Sequence, residues 1–224
     1  MRVICFDLDD TLYKEIDYLK SAYREIAEHA VGQCSGCSDH VESLAIEAYD
    51  RMLDAYRKGL NAFEELNSFL GLELPVSEYL YIYRNHKPKI ALSEDVIGML
   101  DALKAEGVRI GLITDGRSVQ QRNKMEALGL SRWMDEKDMI ISEEFGSEKP
   151  ALANYVYFMK RYPACHDFTY VGDNLKKDFV APNALGWMTV CLKDDVRNIH
   201  RQVTEGIGEG MMPMRWIERL EHLA

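Results

Sequence analysis

Five short apolar runs constrain the fold more than any other feature of this chain: Arg2–Leu8, Arg109–Thr114, Met139–Ser142, Phe168–Gly172 and Met188–Lys193. Each run is continuous rather than alternating, which is the pattern of strands buried on both faces. The segments between the last four carry helical signals. Ser93 precedes Val96, Ile97, Leu100 and Leu103, and Gly107 stops that pattern. Ser118 with Gln121 has the spacing of a capping box ahead of Met125, Leu128 and Gly129. Pro150 suits the first turn of a helix reaching about Arg161. Strand–helix alternation of this kind predicts an α/β fold with a doubly wound parallel sheet.

About a hundred residues separate the first run from the second, far more than one crossover needs. Within that gap, helical periodicity predicts helices at Tyr18–Val31, Val41–Lys58, Ala62–Leu70 and Ser77–Tyr83. Residues 13–88 are therefore expected to form a helical insertion, with 1–12 and 89–224 making the α/β core. Ile217, Leu220 and Leu223 lie on one helical stripe, so Met214–Leu223 is expected to close the chain as a docked helix.

The 224 residues carry 27 Lys and Arg against 37 Asp and Glu, a net charge of −10. Such a surface repels phosphate backbones and argues against nucleic-acid partners. No stretch approaches the roughly 20 apolar residues that span a bilayer, so no membrane association is expected. The first residues reach Arg2 and Asp7 too early for a signal peptide. Five cysteines at irregular spacing, two of them in apolar runs, point to a reducing, cytoplasmic setting. Cys34, Cys37 and His40 supply only one pair of thiols, too few for a structural zinc site. Tyr79, Tyr81 and Tyr83 are expected to pack among the helices of the insertion.

The chemistry-bearing residues gather at the ends of the runs. Asp7 and Asp9 follow the first run two residues apart, so in extended backbone both carboxylates point the same way. Carboxylates that converge repel unless a cation or proton separates them, and a hard ion such as Mg²⁺ suits oxygen ligands. Thr114 and Asp115 end the second run ahead of a helix start, where a hydroxyl and free N–H groups can meet a phosphate. Taken alone, this is also how an ordinary strand-to-helix turn looks. Lys149 follows the third run and can neutralise a substrate phosphate or a nucleophilic carboxylate, although most lysines are simply solvated. Gly172-Asp173 ends the fourth run, where Asp173 is placed to complete a metal site with Asp7, and Asp178 lies five residues on.

These four segments, in this order, resemble the signature motifs of the haloacid dehalogenase superfamily. Asp7-Leu8-Asp9-Asp10-Thr11 resembles its DxDxT, Thr114 its strand-end hydroxyl, Lys149 its lysine, and Gly172-Asp173 through Asp178 its GDxxxxD. The helical insertion resembles the superfamily's C1-type cap. The resemblance implies a Mg²⁺-dependent phosphomonoesterase acting on a small phosphorylated metabolite such as a sugar phosphate, nucleotide or phosphoglycolate-like acid, as a monomer or homodimer. It implies Asp7 as nucleophile and Asp9 as general acid, then base, with Asp9 able to hold a proton. Asp7, the Asp9 carbonyl and Asp173 would hold the metal. Thr114, Asp115 and Lys149 would grip the phosphoryl group, with Asp178 in support. A dehalogenase has little use for an acid at position 9. A sugar phosphomutase needs a second phosphate site, and no basic cluster stands out in the insertion. A catalytically silent binding module would be favoured by a missing motif residue, and none is missing. Pro182 departs from the pattern, since it falls inside the helix expected after Asp178 and removes a backbone donor there. If that helix starts near Asp178 or Phe179, Pro182 lies in its first turn and does little harm.

Overall fold

The computed structural model describes residues 1–34 and 40–223. It separates into two compact units, Met1–Ile16 with Ala91–Ala224, and Asp17–Ile90. The observed boundaries thus fall four and two residues later than the 12/13 and 88/89 breaks expected above. Cys37 lies outside the described residues, and the Cys34 Sγ lies 3.7 Å from the Ala30 carbonyl.

The first unit is a six-stranded sheet with flanking helices. Its strands are β1 (Arg2–Phe6), β2 (Arg109–Thr114), β3 (Met139–Ile141), β4 (Asp167–Gly172), β5 (Met188–Leu192) and β6 (Arg215–Ile217). All pairings are parallel, in the order β3-β2-β1-β4-β5-β6. Val3 and Cys5 of β1 enter one core cluster with Ile113, Tyr155, Phe158 and Tyr170. Ile4 and Phe6, which alternate to the other face, are equally buried. Burial on both faces is why the run is continuous in sequence. Ligands of such sheets bind at the carboxyl ends of the strands, at the point where strand order reverses. Here that point lies between β1 and β4, and the Asp7 N–H donates to the Val171 carbonyl at 2.8 Å to hold the two ends together.

The second unit contains most of α1 (Glu15–Gly32), with α2 (Val41–Arg57), α3 (Ala62–Leu70) and α4 (Val76–Asn85). Tyr18, Tyr23, Ile26 and Ala30 form the buried face of α1, as their spacing requires. Asn61 caps α3 by accepting the Phe63 and Glu64 N–H groups, and Gly71 ends it in the left-handed conformation. Tyr79 is fully buried and stacks on Phe63 with 5.4 Å between ring centroids, whereas Tyr81 is exposed.

Three local expectations are corrected. The closing segment is not one helix: Arg215–Ile217 pairs with β5, and Leu220–Leu223 is a 3₁₀ turn. Ile217, Leu220 and Leu223 are buried as their spacing implied, but the open edge beside β5 takes the first of them into the sheet. Ser118 does not cap α6 (Ser118–Ala127); Glu143 accepts the Ser118 N–H at 2.7 Å instead, which frees Gln121 for another task. Pro150 lies in a turn closed by the Ala151 N–H on the Glu148 carbonyl at 2.9 Å, and α8 (Ala153–Arg161) begins only at Ala153. The short helices α5 (Glu94–Ala105), α7 (Ser142–Phe145) and α9 (Val180–Ala184) complete the set, with Pro182 in the first turn of α9.

Gly111 is needed for close packing in the centre of β2. A Cβ there would lie 2.4 Å from Cε1 of Phe158 and 3.0 Å from Sγ of Cys5, both fully buried. Overpacking of this kind costs about 1–3 kcal/mol. Urea unfolding of Gly111→Ala should show a loss in that range, and a loss below about 0.5 kcal/mol would mean that the α8–sheet contact yields easily.

Candidate active site

The carboxyl ends of β1, β2 and β4 and the loop after β3 bring the sequence-predicted residues together. Asp7, Asp9, Thr114, Asp115, Lys149 and Asp173 line one cavity of about 160 Å³, with Asp10, Glu15, Asn174, Lys177 and His200. At its floor Lys149 is buried, its Nζ 2.7 Å from Oδ1 of Asp7 and 2.8 Å from Oδ1 of Asp178. Burial opposes the charge on this ammonium, but the two carboxylates outweigh it and hold its pKa well above the usual lysine value. Asp178 sits beneath the cavity. Its Oδ2 accepts the Asp173 and Asn174 N–H groups at 3.0 and 2.8 Å, so it shapes the turn that presents Asp173. Gly172 is obligatory for that approach, since a Cβ would lie 2.4 Å from the same oxygen.

Asp115 lines the cavity but directs its carboxylate to the protein, accepting the Lys149 N–H at 3.0 Å and facing Lys177 Nζ at 3.4 Å. Thr114 is almost fully buried, and its Oγ1 accepts a hydrogen bond from Gln121 Nε2 at 2.8 Å. The Thr114 hydroxyl therefore keeps its own proton to donate.

Asp9 departs from expectation. Burial would raise its pKa, but Lys124, Gln121 and Tyr13 outweigh that and hold it below the ordinary value. Lys124 Nζ lies 2.7 and 2.9 Å from the two oxygens, Gln121 Nε2 2.9 Å from Oδ2, and the Tyr13 hydroxyl 2.5 Å from Oδ1. The carboxylate is thus charged here rather than holding a proton. Sequence reasoning missed Lys124 and Gln121. Their spacing on α6, with Gln121 one turn before Lys124, carries them to one face, but nothing local distinguishes them from solvated residues.

A model of the haloacid dehalogenase-like hydrolases matches residues 1–186. The chain belongs to that family. It is 34% identical over 195 residues to the glyceraldehyde 3-phosphate phosphatase of Methanocaldococcus jannaschii, covering 84% of this chain and 82% of that one. A ribulose-1,5-bisphosphate 5-phosphatase of Halopiger xanaduensis is 33% identical over a shorter stretch, 46% of this chain and 42% of the relative. Among solved structures, the hydrolase YfnB of Bacillus subtilis, bound to magnesium, superposes with a TM-score of 0.67 at 20% identity, covering 99% of this chain and 96% of that one.

The acidic cluster of this haloacid dehalogenase-like hydrolase fits a divalent cation. One ligand oxygen from each of Asp7, Asp173 and Asp178 lies within 4.8 Å of the others. Three buried carboxylates against the single Lys149 ammonium leave two formal negative charges. Among the described residues, no protein donor serves Asp7 Oδ2 or Asp173 Oδ1, whereas both oxygens of Asp178 are taken. Burial, only partly offset by Lys149, pushes the Asp7 carboxyl up to about 7. Burial, with Asp178 and Asp7 adding to it, pushes Asp173 up to about 9.

Carboxyls raised in this way contribute stability that is complete below the ordinary carboxylate range and lost as pH rises through about 7 and about 9. Metal-free protein should therefore lose thermal stability between pH 6 and pH 9, and Asp173→Asn should lose less over the same window. An equal loss in the variant, followed by calorimetry in EDTA, would remove Asp173 as a source of that strain.

Proposed function

We propose that this chain is a Mg²⁺-dependent phosphatase that cleaves a small phosphorylated sugar through an aspartyl-phosphate on Asp7. The observation that carries the reading is the pairing of Asp7 with Lys149: one oxygen is held by the ammonium at 2.7 Å, and the other has no protein donor among the described residues and is left to attack. The phosphatase relatives named above support the substrate class, with a three-carbon sugar phosphate as its leading member. The cavity is smaller than the roughly 300–1,000 Å³ of sites for drug-sized ligands, which suits a phosphoryl group on a small metabolite.

Asp7 attacks phosphorus to form the acyl phosphate, with Thr114 donating its hydroxyl proton to a phosphoryl oxygen and Lys149 countering the charge beside it. Asp115 supports this grip through its hold on the Lys149 backbone and on Lys177. A bound Mg²⁺, held by Asp7, Asp173 and the Asp9 carbonyl, would offset carboxylate and phosphoryl charge. In the second step the charged Asp9 carboxylate takes a proton from the attacking water. That proton is then available for the leaving oxygen of the next substrate, and delivering it requires Asp9 to carry it away from Lys124. Dehalogenases share the fold, but their chemistry has no use for this proton carrier. We place the reaction in the cytoplasm, where the buried free thiols of Cys5, Cys165 and Cys191 stay reduced.

Asp7→Asn should lose a factor on the order of 10³ or more in turnover with the fold intact, by analogy with other nucleophile removals. Retention of more than a few per cent of activity with p-nitrophenyl phosphate, after deamidation is excluded, would displace Asp7 as nucleophile.

Asp9→Asn should slow phosphoenzyme formation from a sugar phosphate by roughly 10²–10⁴-fold. The effect on p-nitrophenyl phosphate should be small, because its leaving group needs little protonation. Equal single-turnover slowing for both substrates would remove Asp9 as the acid.

A further inference from the structure

Between β5 and β6 the chain runs from Lys193 to Met214 with only one 3₁₀ turn, a long irregular stretch for a compact unit. Its first part is tied down tightly. The Asn198 N–H donates to Asp194 Oδ1 at 3.1 Å, and the Ile199 N–H donates to Asp10 Oδ2 at 2.9 Å. Gln202 Nε2 donates to the carbonyls of Asp173 and Leu192 at 2.8 and 2.7 Å. Val196, exposed and β-branched, is nonetheless held at φ +68°. A conformation so unfavourable for valine persists only where the surrounding bonds dictate the path of the chain.

What that path delivers is the Asn198 side chain. It is buried, and its Nδ2 donates to Asp173 Oδ2 at 2.9 Å. Its other end accepts from Lys14 Nζ at 2.7 Å. Lys14 in turn pairs with Asp195 at 3.0 Å. The lysine settles the orientation of the amide, because an ammonium can only donate, so the amide oxygen faces Lys14 and the NH₂ faces Asp173.

We infer that Asn198 is a positioning residue for the divalent cation: it occupies one oxygen of Asp173 and so turns the other toward the metal. This rests on Asp173 being a metal ligand, as proposed above. The chemistry of the donor favours the role. A neutral amide fixes the carboxylate without cancelling its charge, whereas a lysine in the same place would compete with the cation. Asp7 already spends one oxygen on Lys149, so Asp173 is the ligand whose orientation remains to be set. Outer partners of this kind change metal affinity by about 10–100-fold when removed.

The experiment is calorimetric titration of Mg²⁺ and Mn²⁺ into metal-free wild type, Asn198→Leu and Lys14→Met. Thermal unfolding in EDTA provides the check on folding. Asn198→Leu should weaken both ions by about 10–100-fold. Lys14→Met, which releases only the far end of the amide, should weaken them by less while leaving the fold intact. A loss of affinity in either folded variant, without a matching fall in metal-free stability, separates orientation of Asp173 from a purely structural contribution. Wild type that binds neither ion would overturn the metal site itself. Wild type that binds while both variants bind equally well would overturn the role of Asn198 and leave the metal site standing.

Discussion

A buried ammonium shared between two carboxylates holds this active site in shape. Lys149 Nζ reaches Asp7 from the loop after β3 and Asp178 from the turn after β4, bridging the point where strand order reverses. Each carboxylate would be costly to bury without it, and the ammonium would be costly to bury without them. Asp178 then spends its second oxygen on two backbone N–H groups, so the same ion cluster that neutralises Asp7 also sets the conformation that presents Asp173. Gly172 makes room for this, and no larger residue fits.

The cluster is deliberately short of positive charge. Asp7 and Asp173 both sit with carboxyl groups pushed far above their ordinary values by burial. In a finished protein interior such a deficit would be a defect. At the metal and phosphate site proposed here such a deficit would favour a cation and then an anionic phosphate, because binding would relieve what folding left unbalanced.

A second ion pair, independent of the first, governs Asp9. Lys124 and Gln121 come from one face of α6, and Gln121 Nε2 also bonds Thr114 Oγ1 and the Asp115 carbonyl. One amide therefore links the proposed phosphate-binding hydroxyl to the proposed acid and base. Gln121 does not serve as a helix cap because its Nε2 is directed into the site, and Glu143 accepts the Ser118 N–H at the helix start instead.

The strands, the long helical insertion and the motif residues were legible in the sequence because each depends on local pattern. Continuous burial reads as an unbroken apolar run, amphipathic helices as spaced apolar residues, and the carboxylates of the proposed site as acids at the ends of strands. The chain's closing segment misled, because apolar residues three apart suit a helix as well as a strand followed by a 3₁₀ turn, and only the open edge beside β5 chooses between them. The charge state of Asp9 was equally out of reach, since its partner Lys124 lies 115 residues away. The sequence by itself determined which groups would stand at the carboxyl edge of the sheet. The tertiary structure alone decided which of them are charged and what holds them, because pKa and orientation are set by neighbours within a few ångströms, and those neighbours are brought in from distant parts of the chain.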